Sequence, residues 1–315
     1  MVAIVGSGLA GLLAANLLSH RDPYVYERQF KLPNNHSAVL RFRTSLIGDA
    51  LNIPFKEVTL IKSSAPWKNP VADALAYSHK NTGTFSSDRS IIKGDVSDKR
   101  WIAPPNLIGL MAARLLPHRI YFNYTYNFQE PSSKDPNNPT PIVSTIPMPI
   151  LMQELEYPHL DKVDFRYSNG FNIKAKIKGC NAYVSLLVPH PDIPFSRVSI
   201  TGDEIIIETH SQQEEEFPNT FAEMNMSVAI DLLGIDHKRI TDITAHRQRY
   251  SKINKIDEDI RKDFIFWATD NFGIFSLGRF ATWRPGLLLD DLVKDIRLID
   301  KWMSKMDRYS IAMAR

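Results

Sequence analysis

The first 28 residues alternate between short apolar runs and small polar breaks, which predicts three successive elements. Residues 2–5, Val-Ala-Ile-Val, form an unbroken apolar run closed by glycine, as is typical of a parallel strand buried on both faces. Residues 9–18 are apolar except for Asn16, so we expect a buried helix. A second short strand follows at 24–26. The strand, helix, strand order predicts the start of a doubly wound α/β domain.

The pattern then changes twice along the middle of the chain. Residues 44–100 do not continue the alternation, and we predict short helical or loop pieces there. An apolar helix at 104–117 and strands at 119–127 and 141–147 mark a return to the first domain. Residues 165–210 hold β-rich segments at intervals of about ten residues joined by turns, which predicts an antiparallel sheet.

The last third of the chain predicts further elements of both domains. Residues 221–235 read as an amphipathic helix, and residues 240–256 as another strand-rich segment. A closing strand ends at Gly278 and Arg279, and a long helix is expected from about Leu288 onwards.

Three glycines follow the first strand at the G-x-G-x-x-G spacing of a dinucleotide-binding turn. Gly6 permits the tight turn, Gly8 lets the backbone approach a pyrophosphate, and Gly11 lets the helix lie close to the strand. The helix begins at Leu9 and Ala10, where unpaired N–H groups and the positive end of the helix dipole attract an anion.

An acidic residue stands where this motif requires one. Glu27 ends the second strand, where a carboxylate can accept the hydroxyls of an adenosine ribose. The alternative is a glycine-rich turn that binds nothing. The strand before the glycines, the helix after them and the acid at this distance together favour a bound dinucleotide.

Composition narrows the classes of protein to which this chain could belong. The 315 residues are 43% hydrophobic and 23% charged, which suits a globular protein of two joined domains. A net charge of +3 is compatible with an anionic substrate. A single cysteine, Cys180, excludes an internal disulfide and fits a reducing cytoplasm. No apolar run is long enough to span a membrane, no signal peptide is expected, and no motif for a metal, a nucleophilic serine or a nucleoside triphosphate occurs.

Three further stretches resemble one superfamily of flavoproteins. HSAVLRFR after the second strand, AYVSLLVPHPDIPFSRVSI at 182–200, and GRFATW at 278–283 are similar to segments of the amine oxidases, protoporphyrinogen oxidase and UDP-galactopyranose mutase. The resemblance implies noncovalent FAD and an α/β fold, in which a Rossmann-like FAD-binding domain is interleaved with a substrate domain built on an antiparallel sheet. The expected FAD-binding domain comprises residues 1–60, 101–150 and 255–315. The expected substrate or cap domain comprises residues 61–100 and 151–254.

The same resemblance implies roles for individual residues. An arginine shortly after the second strand approaches FAD in this superfamily, and backbone amides at the start of the closing helix face the pyrimidine edge of the flavin. The predicted cofactor contacts beyond the glycine turn and Glu27 are Arg28, Arg41, Arg43, Gly278, Arg279, Leu287 and Leu288. The predicted substrate-side residues are His190, Arg197, Arg247, Arg249, Tyr250 and Trp283. Strand alternation puts Arg247 and Arg249 on one face, either as a clamp for a phosphate or carboxylate or as half of a salt-bridged surface strand.

The resemblance implies an FAD-dependent oxidoreductase of amine-oxidase type, which takes a hydride from a carbon bearing nitrogen and leaves an imine. It extends to short bacteriophage flavoproteins that process amino groups attached to modified thymine in DNA. The expected substrate is therefore a small amine or an amine-bearing nucleobase, with DNA as a candidate partner and the host cytoplasm as the location. The alternatives are a mutase-like non-redox flavoenzyme and an FAD-binding module without catalysis. No catalytic acid or base can be named from the sequence.

Overall fold

The computed structural model describes residues 1–32, 39–86, 96–115, 117–129, 140–211 and 219–313. The strands in these ranges are β1 (Val2–Val5), β2 (Pro23–Tyr26), β3 (Arg41–Phe42), β4 (Lys56–Ser64), β5 (Val96–Ile102), β6 (Ile120–Tyr121), β7 (Ile142–Ser144), β8 (Tyr167–Ile177), β9 (Ala182–Leu187), β10 (Phe195–Gly202), β11 (Glu204–Ser211), β12 (Ile240–Ile253) and β13 (Ile274–Ser276). The helices are α1 (Leu9–Leu17), α2 (Leu46–Leu51), α3 (Pro70–Thr82), α4 (Leu107–Ala113), α5 (Met148–Glu154), α6 (Asn219–Leu233), α7 (Glu258–Phe272) and α8 (Leu292–Met313).

A parallel sheet, here sheet A, carries the N-terminal unit. Its order within the described residues is β13-β7-β1-β2-β6, with every neighbouring pair parallel. The strand β1 lies in the middle and is buried along its whole length. Because strand ends of the same polarity meet at one edge of a parallel sheet, the turns after β1, β2, β7 and β13 lie at the same edge.

Sheet A separates two hydrophobic cores. On one face, Val2 and Ile4 pack with α1, α4 and α8, and on the other, Ala3 and Val5 pack with α5 and α7. Alternate residues of one strand enter opposite cores because successive side chains of a strand point to opposite faces. Among the described helices, none has the length and apolar character required to cross a bilayer.

The second sheet, here sheet B, has the order β12-β8-β11-β10-β9-β4-β5-β3 in the described residues. Its neighbours are antiparallel except β4 and β9, which are parallel. One face packs on α6, where Val198 and Ile200 of β10 meet Met226 and Ile230. The predicted α/β fold, with an interleaved antiparallel sheet, is confirmed.

The stretch 44–100 was misjudged from the sequence, since it contains two strands of sheet B. The strand β4 alternates buried Val58 and Leu60 with exposed neighbours, a period-two signal that the sequence also contains. The predicted domain boundary at residue 60 falls inside this strand, and the boundary at residue 150 falls inside α5, which packs on sheet A. The strand predicted at 119–127 is shorter, because only β6 pairs with β2.

Candidate cofactor site

The turn after β1 leaves no space for a side chain at two of its three glycines. Gly6 has a positive φ of 99°, and a Cβ there would lie 2.2 Å from the Thr145 Oγ1 atom. A Cβ on Gly11 would lie 1.9 Å from the Gly6 carbonyl oxygen. Glycine at both positions therefore lets α1 and the end of β7 close around the turn.

Gly8 differs from its two neighbours because it faces open space. It has an ordinary extended conformation, with φ −67° and ψ 179°, and a Cβ there would meet no described atom within 4 Å. No side chain among the described residues caps α1, and the first N–H groups of an α-helix have no acceptor within the helix. The exposed backbone at Gly8 and the start of α1 together form a cradle for an anion.

Glu27 is held against this turn by Ser7. Its Oε2 atom accepts hydrogen bonds from the Ser7 N–H group at 2.8 Å and the Ser7 hydroxyl at 2.6 Å, and its Oε1 atom accepts one from the Gln29 N–H group at 2.8 Å. A carboxylate offers about four acceptor positions, so Glu27 retains capacity for a ribose hydroxyl. Ser7, which is 2% exposed, was not predicted, because it occupies a variable position of the glycine motif.

The closing strand reaches the same turn from the far end of the sequence. Gly278 follows β13 with a positive φ of 97°, and a Cβ there would lie 3.3 Å from the Ala10 Cβ atom in α1. The glycine turn at residues 6–11 and the segment that begins at Gly278 therefore meet at the carboxyl edge of sheet A. Arg279, the next residue, places its guanidinium 5.5 Å from the Phe280 ring centroid.

The backbone amides predicted to face the flavin already have partners in this structure. The Leu287 N–H group donates to the Arg284 carbonyl oxygen at 3.1 Å, and the Leu288 N–H group donates to the Asp291 carboxylate at 3.0 Å. A 3-10 turn over Leu289–Asp291 follows and leads into α8. The first N–H groups of such a turn have no acceptor within the turn itself. The candidate donors to a ligand are therefore the N–H groups of Leu289 and Asp290, one and two residues after Leu288.

Asp290, in this same turn, contacts the loop after β3. Its Oδ1 atom accepts hydrogen bonds from the Arg43 N–H group at 2.9 Å, the Thr44 N–H group at 3.1 Å and the Thr44 hydroxyl at 3.3 Å. The loop that carries Arg43 and the turn that precedes α8 are thereby joined. Sequence reasoning missed Asp290, since two consecutive acids before a helix usually indicate only a capped N-terminus.

Arg41 and Arg28, which were also predicted to contact the cofactor, lie away from the turn before α8. Arg41 turns into sheet B, where its guanidinium donates to the Thr201 hydroxyl at 3.0 Å, the Val184 carbonyl at 2.8 Å and the Ile200 carbonyl. Burial, with Arg197 nearby, lowers the pKa of Arg41 to about 10. Arg28 is exposed after β2. Of the alternatives Arg41 and Arg43, Arg43 adjoins the turn before α8.

A cavity of about 730 Å³ opens between the start of α7 and the turn before α8. Its walls include Leu287 and Asp291 of that turn, together with the cationic side chains of Lys255, Arg261 and Lys294. Glu258 in the wall is engaged by Arg261, which donates two hydrogen bonds to its carboxylate. The cavity is therefore lined by charged side chains of both signs, since Glu258, Asp291 and Asp295 also face it.

The face of sheet B opposite α6 is polar. Arg197 on β10 pairs with Glu208 on β11, and their side chains are 37% and 13% exposed. Burial alone would lower the pKa of Arg197, but the Glu208 carboxylate raises it. The Nε atom of Arg197 is buried and has no hydrogen-bond partner in the part of the chain that the structure describes. A ligand on this face would therefore meet the exposed part of the Arg197 side chain and not its Nε atom.

The same face continues into β4 and β5 with more cations than anions. Asp98 accepts hydrogen bonds from Lys62 and, at 2.9 Å, from Arg100. The Lys62 hydrogen bond is the main reason that the pKa of Asp98 is lowered. With Arg41 and Arg197 nearby, the surplus of positive charge favours an anionic ligand over a cationic one.

His190 lies at the turn between β9 and β10 and is tied to α3. The Lys80 ammonium donates to the carbonyl oxygens of Val188, His190 and Phe195 at 2.9, 2.6 and 2.9 Å. The His190 ring packs 5.5 Å from Trp67. These contacts give the His190 backbone a structural role, and its predicted substrate-side role stays a prediction.

The four remaining substrate-side predictions separate into two pairs. Arg247 and Arg249 are exposed on β12, the edge strand of sheet B, away from Arg197. Tyr250 and Trp283 are 5% and 1% exposed, with ring centroids 5.8 Å apart, and the Trp283 indole N–H donates to the Asn254 carbonyl oxygen at 2.9 Å. Tyr250 and Trp283 pack against each other, and Trp283 also lines the cavity of about 730 Å³, so the substrate-side roles of both pairs stay predictions.

No protein-family model matches the sequence, and no curated protein matches it. Several solved structures are similar to this chain. Reduced UDP-galactopyranose mutase is similar over 96% of this chain and 93% of its own, with a TM-score of 0.70 at 12% identity. A CLA-producing fatty acid isomerase from P. acnes is similar over 95% of this chain and 98% of its own, with a TM-score of 0.60 at 12% identity.

The chain has the fold of these two enzymes. An oxidoreductase from Methanosarcina mazei is also similar, with a TM-score of 0.56 at 10% identity over 95% of this chain and 99% of its own. Because these neighbours include a mutase, an isomerase and an oxidoreductase, the shared fold leaves the reaction open. The reaction must be inferred from the residues of the site.

Proposed function

We propose that this protein is an oxidoreductase that binds FAD noncovalently. One observation carries the proposal: the glycine turn after β1, Glu27 and Gly278 meet at one edge of a parallel sheet in a flavoenzyme fold. Open space at Gly8 and the uncapped start of α1 fit a pyrophosphate, and Glu27 fits a ribose. When bound, FAD would supply the hydride chemistry.

The residues of the chain would bind and orient the cofactor and the substrate. Gly8 and the first turn of α1 would hold the pyrophosphate, and Glu27 the ribose. Arg197, whose side chain is 37% exposed, would hold an anionic group of the substrate on the polar face of sheet B. The sequence resemblance supports an amine as the reacting group. An amine carried on a nucleotide would combine both features, and DNA is retained as a candidate partner on that ground.

A mutase-like, non-redox reaction is the second candidate. It is favoured by the TM-score of 0.70 to UDP-galactopyranose mutase over nearly the whole of both chains and by the cationic polar face of sheet B. A binding module without catalysis is the third, and tight FAD binding without turnover would support it.

The first test is the visible absorption spectrum of the purified protein before and after acid precipitation. Flavin bands near roughly 370 and 450 nm that leave with the supernatant would support noncovalent FAD. Anaerobic bleaching by an amine or an amine-bearing oligonucleotide would support the oxidoreductase, and turnover of UDP-galactopyranose only after dithionite reduction would support the mutase. A colourless protein that takes up no FAD would refute the proposal.

A second test addresses the anionic group of the substrate. Arg197→Lys keeps a charge for Glu208 but removes the planar guanidinium, so KM should rise roughly tenfold or more while FAD affinity is unchanged. Arg239→Lys, an exposed arginine before β12, is the matched control and should leave KM unchanged. Equal KM values in all three proteins would rule out Arg197 as the anion contact.

A further inference from the structure

Asp290 connects two segments that are distant in sequence and adjacent in the candidate site. It is the middle residue of the turn before α8, and a single carboxylate oxygen accepts hydrogen bonds from two backbone N–H groups and one hydroxyl of Arg43 and Thr44. Three donors on one ionised oxygen form a specific, charge-assisted contact.

Both partners of the contact are anchored in the same hydrophobic core. Phe42 and Ile47, on either side of the loop, are 2% and 4% exposed, and Leu292 and Val293, after the turn, are 1% and 0% exposed. Arg43 and Thr44 between them are exposed. The core therefore holds the ends of the loop, and Asp290 determines the backbone path at its centre.

We propose that Asp290 is a positioning residue for the cofactor: it fixes the loop at Arg43 and Thr44 against the turn before α8, so that both form one wall of the FAD pocket. The inference rests on the proposed function, since both segments are predicted cofactor contacts. Pre-formed walls raise affinity because the ligand does not have to order them on binding. Asp290 itself need not touch FAD.

The test uses substitutions of Asp290 in the full chain and two measurements. Asp290→Ala removes the acceptor, Asp290→Glu displaces it by one methylene, and Asp290→Asn keeps an oxygen at the same position. FAD affinity is measured by flavin fluorescence, and amide hydrogen exchange of the peptide containing residues 43–44 is measured in FAD-free protein. Asp49→Ala is the matched control, because Asp49 is also exposed and accepts only the nearby Ser45 hydroxyl.

Asp290→Ala and Asp290→Glu should weaken FAD binding roughly tenfold, as the loss of about 1 to 1.5 kcal/mol predicts. Exchange at residues 43–44 should be faster in both. Asp290→Asn should remain within about threefold of wild type, and Asp49→Ala should match wild type.

Three outcomes would overturn the inference. Wild-type exchange and affinity in Asp290→Ala and Asp290→Glu would show that the contact positions nothing. An equal loss in Asp49→Ala would show a general effect of charge. A wild-type protein that binds no FAD would refute the proposed function and the cofactor role of Asp290 together, and the exchange data alone would then show whether the loop contact exists.

Discussion

Substitution of Gly8 should separate cofactor binding from folding stability. In Gly8→Ala, the new methyl group meets no described atom within 4 Å, and the φ of −67° is ordinary for alanine. Alanine reduces the entropy of the unfolded chain, which stabilises the protein by about 0.4 to 1 kcal/mol, but it is a poorer N-cap than glycine by roughly the same amount. These terms oppose each other, so the stability of the FAD-free protein should change by less than about 1 kcal/mol, a shift of roughly 2 °C in Tm.

In contrast to stability, the affinity for FAD should fall sharply in Gly8→Ala. The methyl group would occupy the space through which the backbone approaches the pyrophosphate, so it would displace the phosphate or the start of α1. We expect FAD affinity to fall at least tenfold, which corresponds to about 1.4 kcal/mol. Gly11→Ala is the matched comparison, because its Cβ would lie 1.9 Å from the Gly6 carbonyl oxygen. That overlap should outweigh the helix-propensity gain of about 1 kcal/mol and lower the Tm of the FAD-free protein.

Two measurements test these predictions for Gly8→Ala and Gly11→Ala. Thermal unfolding of the FAD-free proteins gives their stability, and titration of each protein with FAD gives its affinity. Unchanged FAD affinity in Gly8→Ala would refute the assignment of the pyrophosphate to this turn. A large loss of stability in Gly8→Ala would instead show that a neighbouring group occupies the space beside Gly8.

Two further predictions concern carboxylates. Glu27→Ala should weaken FAD binding at least tenfold and lower the Tm of the FAD-free protein, because the buried Ser7 N–H group loses its acceptor at a cost of about 1 to 3 kcal/mol; unchanged affinity in an FAD titration would exclude the ribose contact. The hydrogen bond from Arg261 lowers the pKa of Glu258 to about 2, so its stabilising effect is complete above the usual value of 4.5 and is lost as pH falls towards 2. The Tm difference between wild type and Glu258→Gln should therefore be largest above pH 4.5 and disappear near pH 2, and a difference independent of pH would contradict this assignment.

Much of the part of the chain that forms sheet A could be predicted because its signals are local. The run Val2–Val5, the glycines after it and Glu27 lie within 28 residues, and their backbone geometry follows from neighbouring residue types. The antiparallel sheet was predictable from residues 165–210 for the same reason, since alternation and turns recur there at short intervals. By contrast, the polar strand β5 has no such pattern, and only its pairing with β4 makes it a strand.

The destinations of individual side chains depended on the tertiary structure. Arg41 and Arg43 are two residues apart and equally plausible from the sequence, but Arg41 bonds to Thr201, 160 residues away, while Asp290 binds the Arg43 N–H group across 247 residues. Trp283 matched a motif and yet is buried, because Tyr250 and Asn254 pack against it from another part of the chain. The sequence by itself determined the elements whose geometry comes from adjacent residues, namely the glycine turn, its helix and the alternating strands. Only the tertiary structure decided which polar groups already have partners and which are left for a ligand, because hydrogen bonds and burial depend on residues that folding alone brings together.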